Sequence, residues 1–279
     1  MRSIIFNFGK VLLYLILIVG LFIFLFPFYQ MVIGSFKSEA EIFTTRPSFL
    51  PERFKLDNYN NLFTHLPFAR NVFNSFFVSS SSTLFTLFFC SLAGFTFAKH
   101  KFPGRDFLFS MLLITMMLPG QVTLIPLFIL MRRLNWINTY YPLIIPGAAS
   151  AFGIFLMRQY TLSSIPDDLI DAARIDGCSE FGIYAKIGLP IILPGLTALG
   201  ILTFMGSWNS FLWPLIVLND FKMYTIPIAL SLLQSAVRGE ILYGSVFAGA
   251  TIGTFPLLVI FLIFQRQFVS GILAGALKS

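Results

Sequence analysis

Charge is scarce in this chain, and acidic charge scarcest: its 279 residues hold twelve Asp and Glu against nineteen Lys and Arg, and charged side chains make up 11% of the whole. A soluble domain carries about a quarter. Histidine and cysteine are rarer still, at two each. With Cys90 and Cys178 the only thiols, no disulfide framework is available and the redox compartment stays open. His65 and His100 come with no H-x-x-x-H pattern and no Cys pair, so neither a metal site nor a nucleophile–base pair is visible, and a membrane enzyme is disfavoured. No G-x-x-x-x-G-K-[ST] loop occurs, so ATP is not cradled by that route. The net charge of +7 would suit nucleic acid, but the basic residues are scattered through loops, so no such partner is expected.

Apolar surface is what the chain has in abundance, at 57% of residues. Cutting the sequence at every Asp, Glu, Lys and Arg leaves six long uncharged runs: 11–36, 71–98, 107–131, 134–157, 187–219 and 241–265. Each exceeds the roughly 20 residues that a helix needs to cross a bilayer. The runs predict an all-α integral membrane protein of six transmembrane helices, over about 11–34, 72–98, 107–131, 140–158, 194–218 and 242–265, with lipid as solvent. A shorter run, 223–237, contains Pro227 and reads as an interfacial or re-entrant piece. The first run carries Pro27, Phe28 and Tyr29 without a small-residue cleavage pattern, so it is expected to remain as a helix and not to be removed as a signal peptide. The densest basic stretch, Lys99 to Arg105, is placed in the cytoplasm, and an even number of spans then puts both termini there. Segment 37–70 also carries Lys37, Arg46, Arg53, Lys55 and Arg70, which weighs against that orientation.

Between the fourth and fifth runs lies 158–186, which holds five of the twelve acids: Asp167, Asp168, Asp171, Asp176 and Glu180. Ser164 suits a helix N-cap, Pro166 a first turn, and Asp167 and Asp168 the positive end of a helix dipole. Gly177 suits a left-handed close. A second short helix is expected from Ser179 until Pro190 restricts Leu189. Leu169, Ala172 and Ala173 fall on one side of the first helix at three- and four-residue spacing. Periodicity alone leaves open whether that side meets another protein or rests on the membrane interface.

The pattern Asp171-Ala172-Ala173, three residues, Gly177, nine residues, Ile187-Gly188-Leu189-Pro190 resembles the EAA loop of bacterial ABC importer permeases, with Asp where Glu is usual. The remainder looks like the second, shorter permease of the maltose-type carbohydrate subfamily. Matching segments include Ser35-Phe36-Lys37, Asn58-Tyr59, Leu62-Phe63, Asn74-Ser75, Pro119-Gly120, Trp208-Asn209, Phe211 to Pro214, Gln265-Arg266 and Phe268-Val269 with Gly271. The resemblance implies a multi-pass protein of a bacterial or archaeal inner membrane, with 164–190 as a cytoplasmic coupling helix-turn-helix between spans 4 and 5. By the same resemblance Asp171, Ala172, Ala173, Gly177, Ile187, Leu189 and Pro190 belong to the coupling loop. The implied partners are a homologous second permease, two ATPase subunits or domains that bind ATP and Mg²⁺, and an extracytoplasmic solute-binding protein. The tail 271–279 matches the piece that in this family reaches between the ATPases.

A transporter driven by an ion gradient would place Asp, Glu or Lys inside the membrane, and the six runs contain none. For a substrate path, Asn209 and Trp213 lie four residues apart and offer an amide and a flat aromatic face to a sugar. Trp208 and Trp213 also suit an interfacial aromatic belt. Prolines in or beside the spans, such as Pro119, Pro126, Pro214 and Pro256, free backbone groups. Ser79 to Ser82 and Gly249 with Gly253 read as helix-packing positions. A glycerol-3-phosphate substrate is the alternative to a carbohydrate, and Arg132 and Arg133 are the basic groups that would suit it.

Overall fold

The computed structural model describes residues 8–44, 48–234 and 242–276, with side chains from residue 9 to residue 265. Every regular element in that range is helical. In chain order these are α1 (Phe8–Gly34), α2 (Glu39–Ile42), α3 (Asp57–His65), α4 (Phe68–Lys99), α5 (Arg105–Met116), α6 (Gly120–Arg133), α7 (Tyr141–Ile144) and α8 (Ala151–Ser164). Then come α9 (Asp167–Ile175), α10 (Glu180–Ile183), a π turn (Tyr184–Gly188), α11 (Leu189–Ile191), α12 (Leu193–Trp208), α13 (Leu212–Val217), α14 (Ile226–Gln234) and α15 (Tyr243–Ala276).

Three helical stretches, Gly9–Gly34, Phe68–Lys99 and Tyr243–Gln265, are long and apolar enough to cross a membrane, and α1 is apolar on every side with nothing buried in its central window. A helix apolar all round needs lipid or protein on all faces. Two further candidates are bent pairs: α5 with α6 turns by 102° at Met117 to Pro119, and Glu180–Ile191 with α12 turns by 78° at Ile192. The count is thus three, or five if each pair is one crossing. The run expected over 140–158 is two pieces, α7 and α8, joined by a turn. A tally of uncharged residues is blind to such breaks, because it registers polarity and not the backbone geometry that prolines and small polar residues impose.

The chain divides into two compact units. The first takes 1–68 and 230–255, as far as these residues are described. Here Asn58 in α3 donates from Nδ2 to the carbonyls of Ser35 (2.9 Å) and Lys37 (2.7 Å), while the Tyr59 hydroxyl meets Ser35 Oγ at 2.9 Å. The backbone leaving α1 is satisfied by these side chains. Gly244 lies directly against Asn58, and Gly249 against Leu230 and Phe68, so small residues in α15 permit close approach as expected.

The second unit takes 69–229 and 256–279, again as described. Its core joins Cys90 and Phe95 of α4, Ile154 and Met157 of α8, and Leu196 and Leu199 of α12. Ser79 and Ser82 are buried, in keeping with their reading as packing positions. Near the start of α4, Asn71 donates to the carbonyls of Phe221 and Tyr224, Asn74 to those of Lys222 and Tyr224, and Ser75 Oγ accepts the Ile226 amide at 2.8 Å. Three polar side chains of one helix thereby hold the segment leading into α14, and Pro227 fits within its first turn.

Candidate functional site

Helix α9 opens after Pro166, and Ser164 is the last residue of α8; the cap expected from Ser164 does not form. Its C-terminus is a Schellman turn. The Gly177 amide reaches the Arg174 carbonyl and the Cys178 amide the Ala173 carbonyl, both at 3.0 Å, with Gly177 at φ +78°. Ser179 then caps α10, its Oγ accepting the Gly182 amide. Helix does not stop at Pro190: the π turn intervenes, with the Leu189 amide bonding five residues back to the Tyr184 carbonyl, and α11 carries Leu189 and Pro190 in helical geometry. The wider turn displaces the carbonyl that a proline ring would meet in a regular helix.

Ala172 and Ala173 do not share a face. Ala173 and Ile170 are buried in the core with Met157, Ile165 and Ile183, whereas Ala172 and Asp171 are exposed. One alanine therefore fixes α9 to the unit, and the other is open to a partner. Beyond Ala172 the open side carries Ile175, 86% exposed, and Leu169 is partly exposed. Phe181 on α10 is 62% exposed. Neither Ile175 nor Phe181 was singled out for coupling from the sequence, although Leu169, Ala172 and Ile175 recur at three-residue intervals that mark Ile175 as lying on the same side. Ile187 and Leu189 are half-buried and Pro190 exposed; all three follow from the π turn onward and lead into α12.

Ion pairs brace the same loop. Arg174 is held between Asp171 (3.1 Å) and Glu180 (2.8 Å), and Glu180 also meets His100 Nε2 at 2.8 Å. Lys99, whose side chain is 3% exposed, binds both the Ile165 carbonyl and Asp167. The end of α4 and the residue after it are therefore packed against the acidic loop. Hydrogen bonds from Arg174 hold the Glu180 carboxyl below its ordinary range and those from Lys99 do the same for Asp167, while Glu180 raises the Arg174 guanidinium. Asp171 spends its carboxylate on Arg174 within the chain.

Asn209 and Trp213 are not on one continuous helix. α12 ends at Trp208, and Asn209 back-bonds from Nδ2 to the Met205 carbonyl at 2.9 Å, exposed, before α13 begins at Leu212. Trp208 is buried and stacked on Phe204 (5.5 Å between centroids), so it packs inside the protein and does not sit in a belt. Trp213 donates its indole N–H to the Pro142 carbonyl at 2.9 Å and lines a cavity of about 390 Å³ between α4, α12 and the α7–α8 turn. Asn209 does not line it. Among the described residues no group of three His, Cys, Asp or Glu could hold a metal.

Residues 90–273 match the family model described as "Binding-protein-dependent transport system inner membrane component". The chain belongs to this family. The permease is 37% identical over 260 residues, 92% of each chain, to the arabinooligosaccharides transport system permease protein AraQ of Halalkalibacterium halodurans. It is 36% identical over 265 residues, 95% of each, to the lactose transport system permease protein LacG of Rhizobium radiobacter. Its fold is that of a crystal structure of a bacterial ABC transporter involved in the import of the acidic polysaccharide alginate, with a TM-score of 0.84 at 21% identity over 96% of this chain and 99% of that one. As a membrane component of a transport system the permease is not an enzyme, and the ion-driven reading falls with the family assignment.

Proposed function

We propose that this permease translocates a carbohydrate delivered by an extracytoplasmic solute-binding protein, paired with a homologous second permease and driven by two ATPase subunits that bind ATP and Mg²⁺. The chain crosses the inner membrane six times with both termini in the cytoplasm, α5 with α6 counting as one crossing, α7 with α8 as another, and α12 with α13, after the loop has ended, as the fifth. Loop 164–190 is the coupling element. The observation that carries this is an apolar side, Ala172 and Ile175 with nearby Phe181, left open on a loop that is otherwise charged and is anchored to the core through Ile170 and Ala173. Exposed large apolar groups on a braced, polar segment suit a protein socket better than water. The expected reach of 271–279 between the ATPases lies outside the residues whose side chains are described.

Co-purification with its genomic neighbours and reconstitution into proteoliposomes tests the assignment. Labelled lactose or an arabinotriose is expected to accumulate only with ATP inside and binding protein outside. Uptake that survives ATP depletion and collapses with the ion gradient would refute it.

A further inference from the structure

The cavity beside Trp213 is lined on one side by hydroxyls. Ser82, Thr203, Ser207 and Ser210 face it, and no hydrogen bond to another described residue occupies their hydroxyls. Thr225 also lines it: the residue is 4% exposed, and its Oγ1 is buried with no partner. The backbone around it is held firmly, since Asn71, Asn74 and Ser75 clamp the segment on either side of Thr225. A Cβ at Gly206 would meet nothing within 4 Å, so space opens from this stretch of α12 as well.

None of the lining residues is Asp, Glu, Lys, Arg or His. The basic pair Arg132 and Arg133 at the end of α6 is not part of the wall. About 390 Å³ falls within the roughly 300–1,000 Å³ of small-molecule sites. Trp213 supplies an aromatic surface, fixed by its bond to Pro142. Hydroxyls as both donors and acceptors, the flat rings of Trp213 and Phe152 and no fixed charge are the recognition chemistry of an uncharged polyol.

We propose that this cavity is a carbohydrate subsite belonging to this chain itself, in which an uncharged sugar is held by Ser207, Ser210 and Thr203 against Trp213, and from which anions are excluded for want of a cation. This rests on the carbohydrate reading above and extends it to a specific wall of α12 and the break that follows. Thr203, Ser207 and Ser210 recur at four- and three-residue spacing along α12 and the turn after it and so fall on one side, and Trp213 of α13 lines the same cavity.

The test uses the complete reconstituted complex, with lactose, an arabinotriose and glycerol 3-phosphate as probes. In a Cys178→Ser background, Ser207→Cys is expected to react with a water-soluble maleimide, and lactose under turnover is expected to slow that reaction several-fold. Ser210→Leu, which fills the cavity, is expected to lower sugar uptake about tenfold at saturating binding protein, the effect of losing about 1.4 kcal/mol, with Ser210→Thr retaining most of it. Should both Ser210 variants fail alike, the labelling decides, with protection by sugar upholding the subsite and indifference overturning it. Sugar uptake with an unreactive or unprotected Ser207→Cys thiol overturns the subsite alone. Uptake of glycerol 3-phosphate with neither sugar overturns the carbohydrate reading and the subsite together.

Discussion

Valine in place of Gly177 is expected to abolish ATP-driven uptake while leaving the spanning helices assembled. Gly177 sits at φ +78° and closes α9 through the bonds from Gly177 to Arg174 and from Cys178 to Ala173. An L-residue pays about 1–2 kcal/mol there, and a β-branched one is worst placed to do so. Space is not the obstacle, since nothing lies within 4 Å of a Cβ at this position. The strain would be relieved by unwinding the turn, which would swing Ser179 and Glu180 away from Arg174 and His100. Gly177→Asn, which tolerates the left-handed region, is expected to keep most activity. Uptake and ATPase assays on both variants separate the conformational role from simple intolerance of a side chain.

Alanine in place of Gly94 is expected to be the most damaging small substitution within the second unit. A Cβ there would stand 2.6 Å from Met157 Cβ and 2.8 Å from the Arg158 amide nitrogen, with the Met157 carbonyl carbon at 2.9 Å. Two of these three atoms are backbone and cannot swing aside, so α4 and α8 would have to separate. Overpacking of this kind costs about 1–3 kcal/mol, with the backbone contact putting it at the upper end. The separation would also disturb Arg158, whose guanidinium lies 4.1 Å over the Phe109 ring and whose Nε reaches the Phe97 carbonyl. Gly20→Ala in α1, with open space around it, is the matched control and is expected to be neutral or slightly stabilising. Thermal unfolding in detergent, followed by recovery of the intact complex, reads the difference directly.

How far the residues could be read in advance depended on what kind of signal each carried. The left-handed close at Gly177 and the cap at Ser179 were legible, because each follows from one residue's own stereochemistry. The segments Asn58-Tyr59 and Asn74-Ser75 were visible only as a resemblance; the structure gives them a physical role, holding carbonyls and an amide that loops would otherwise leave unsatisfied. The opposed facing of Ala172 and Ala173 was not legible, since a helical wheel cannot say where the core lies. Nor was the π turn before Pro190, which reconciles a proline with an uninterrupted helix. The pairing of Asn209 with Trp213 assumed a straight helix through an uncharged run, and the helix ends between them. Thr203, Ser207 and Ser210 recur at helical spacing, but nothing in the sequence says that this side of α12 opens on a cavity, and Thr225 joins its wall only through the clamp from α4.

The claim on which the account rests is that loop 164–190 touches an ATPase. Ala172→Cys, in a Cys178→Ser background, carries a photoreactive benzophenone maleimide on the open side of α9, and irradiation of the purified complex followed by mass spectrometry identifies what lies against it. Adducts to the ATPase subunit are the expected result. Adducts confined to lipid or to the permease itself would contradict the account and return this helix to the membrane interface.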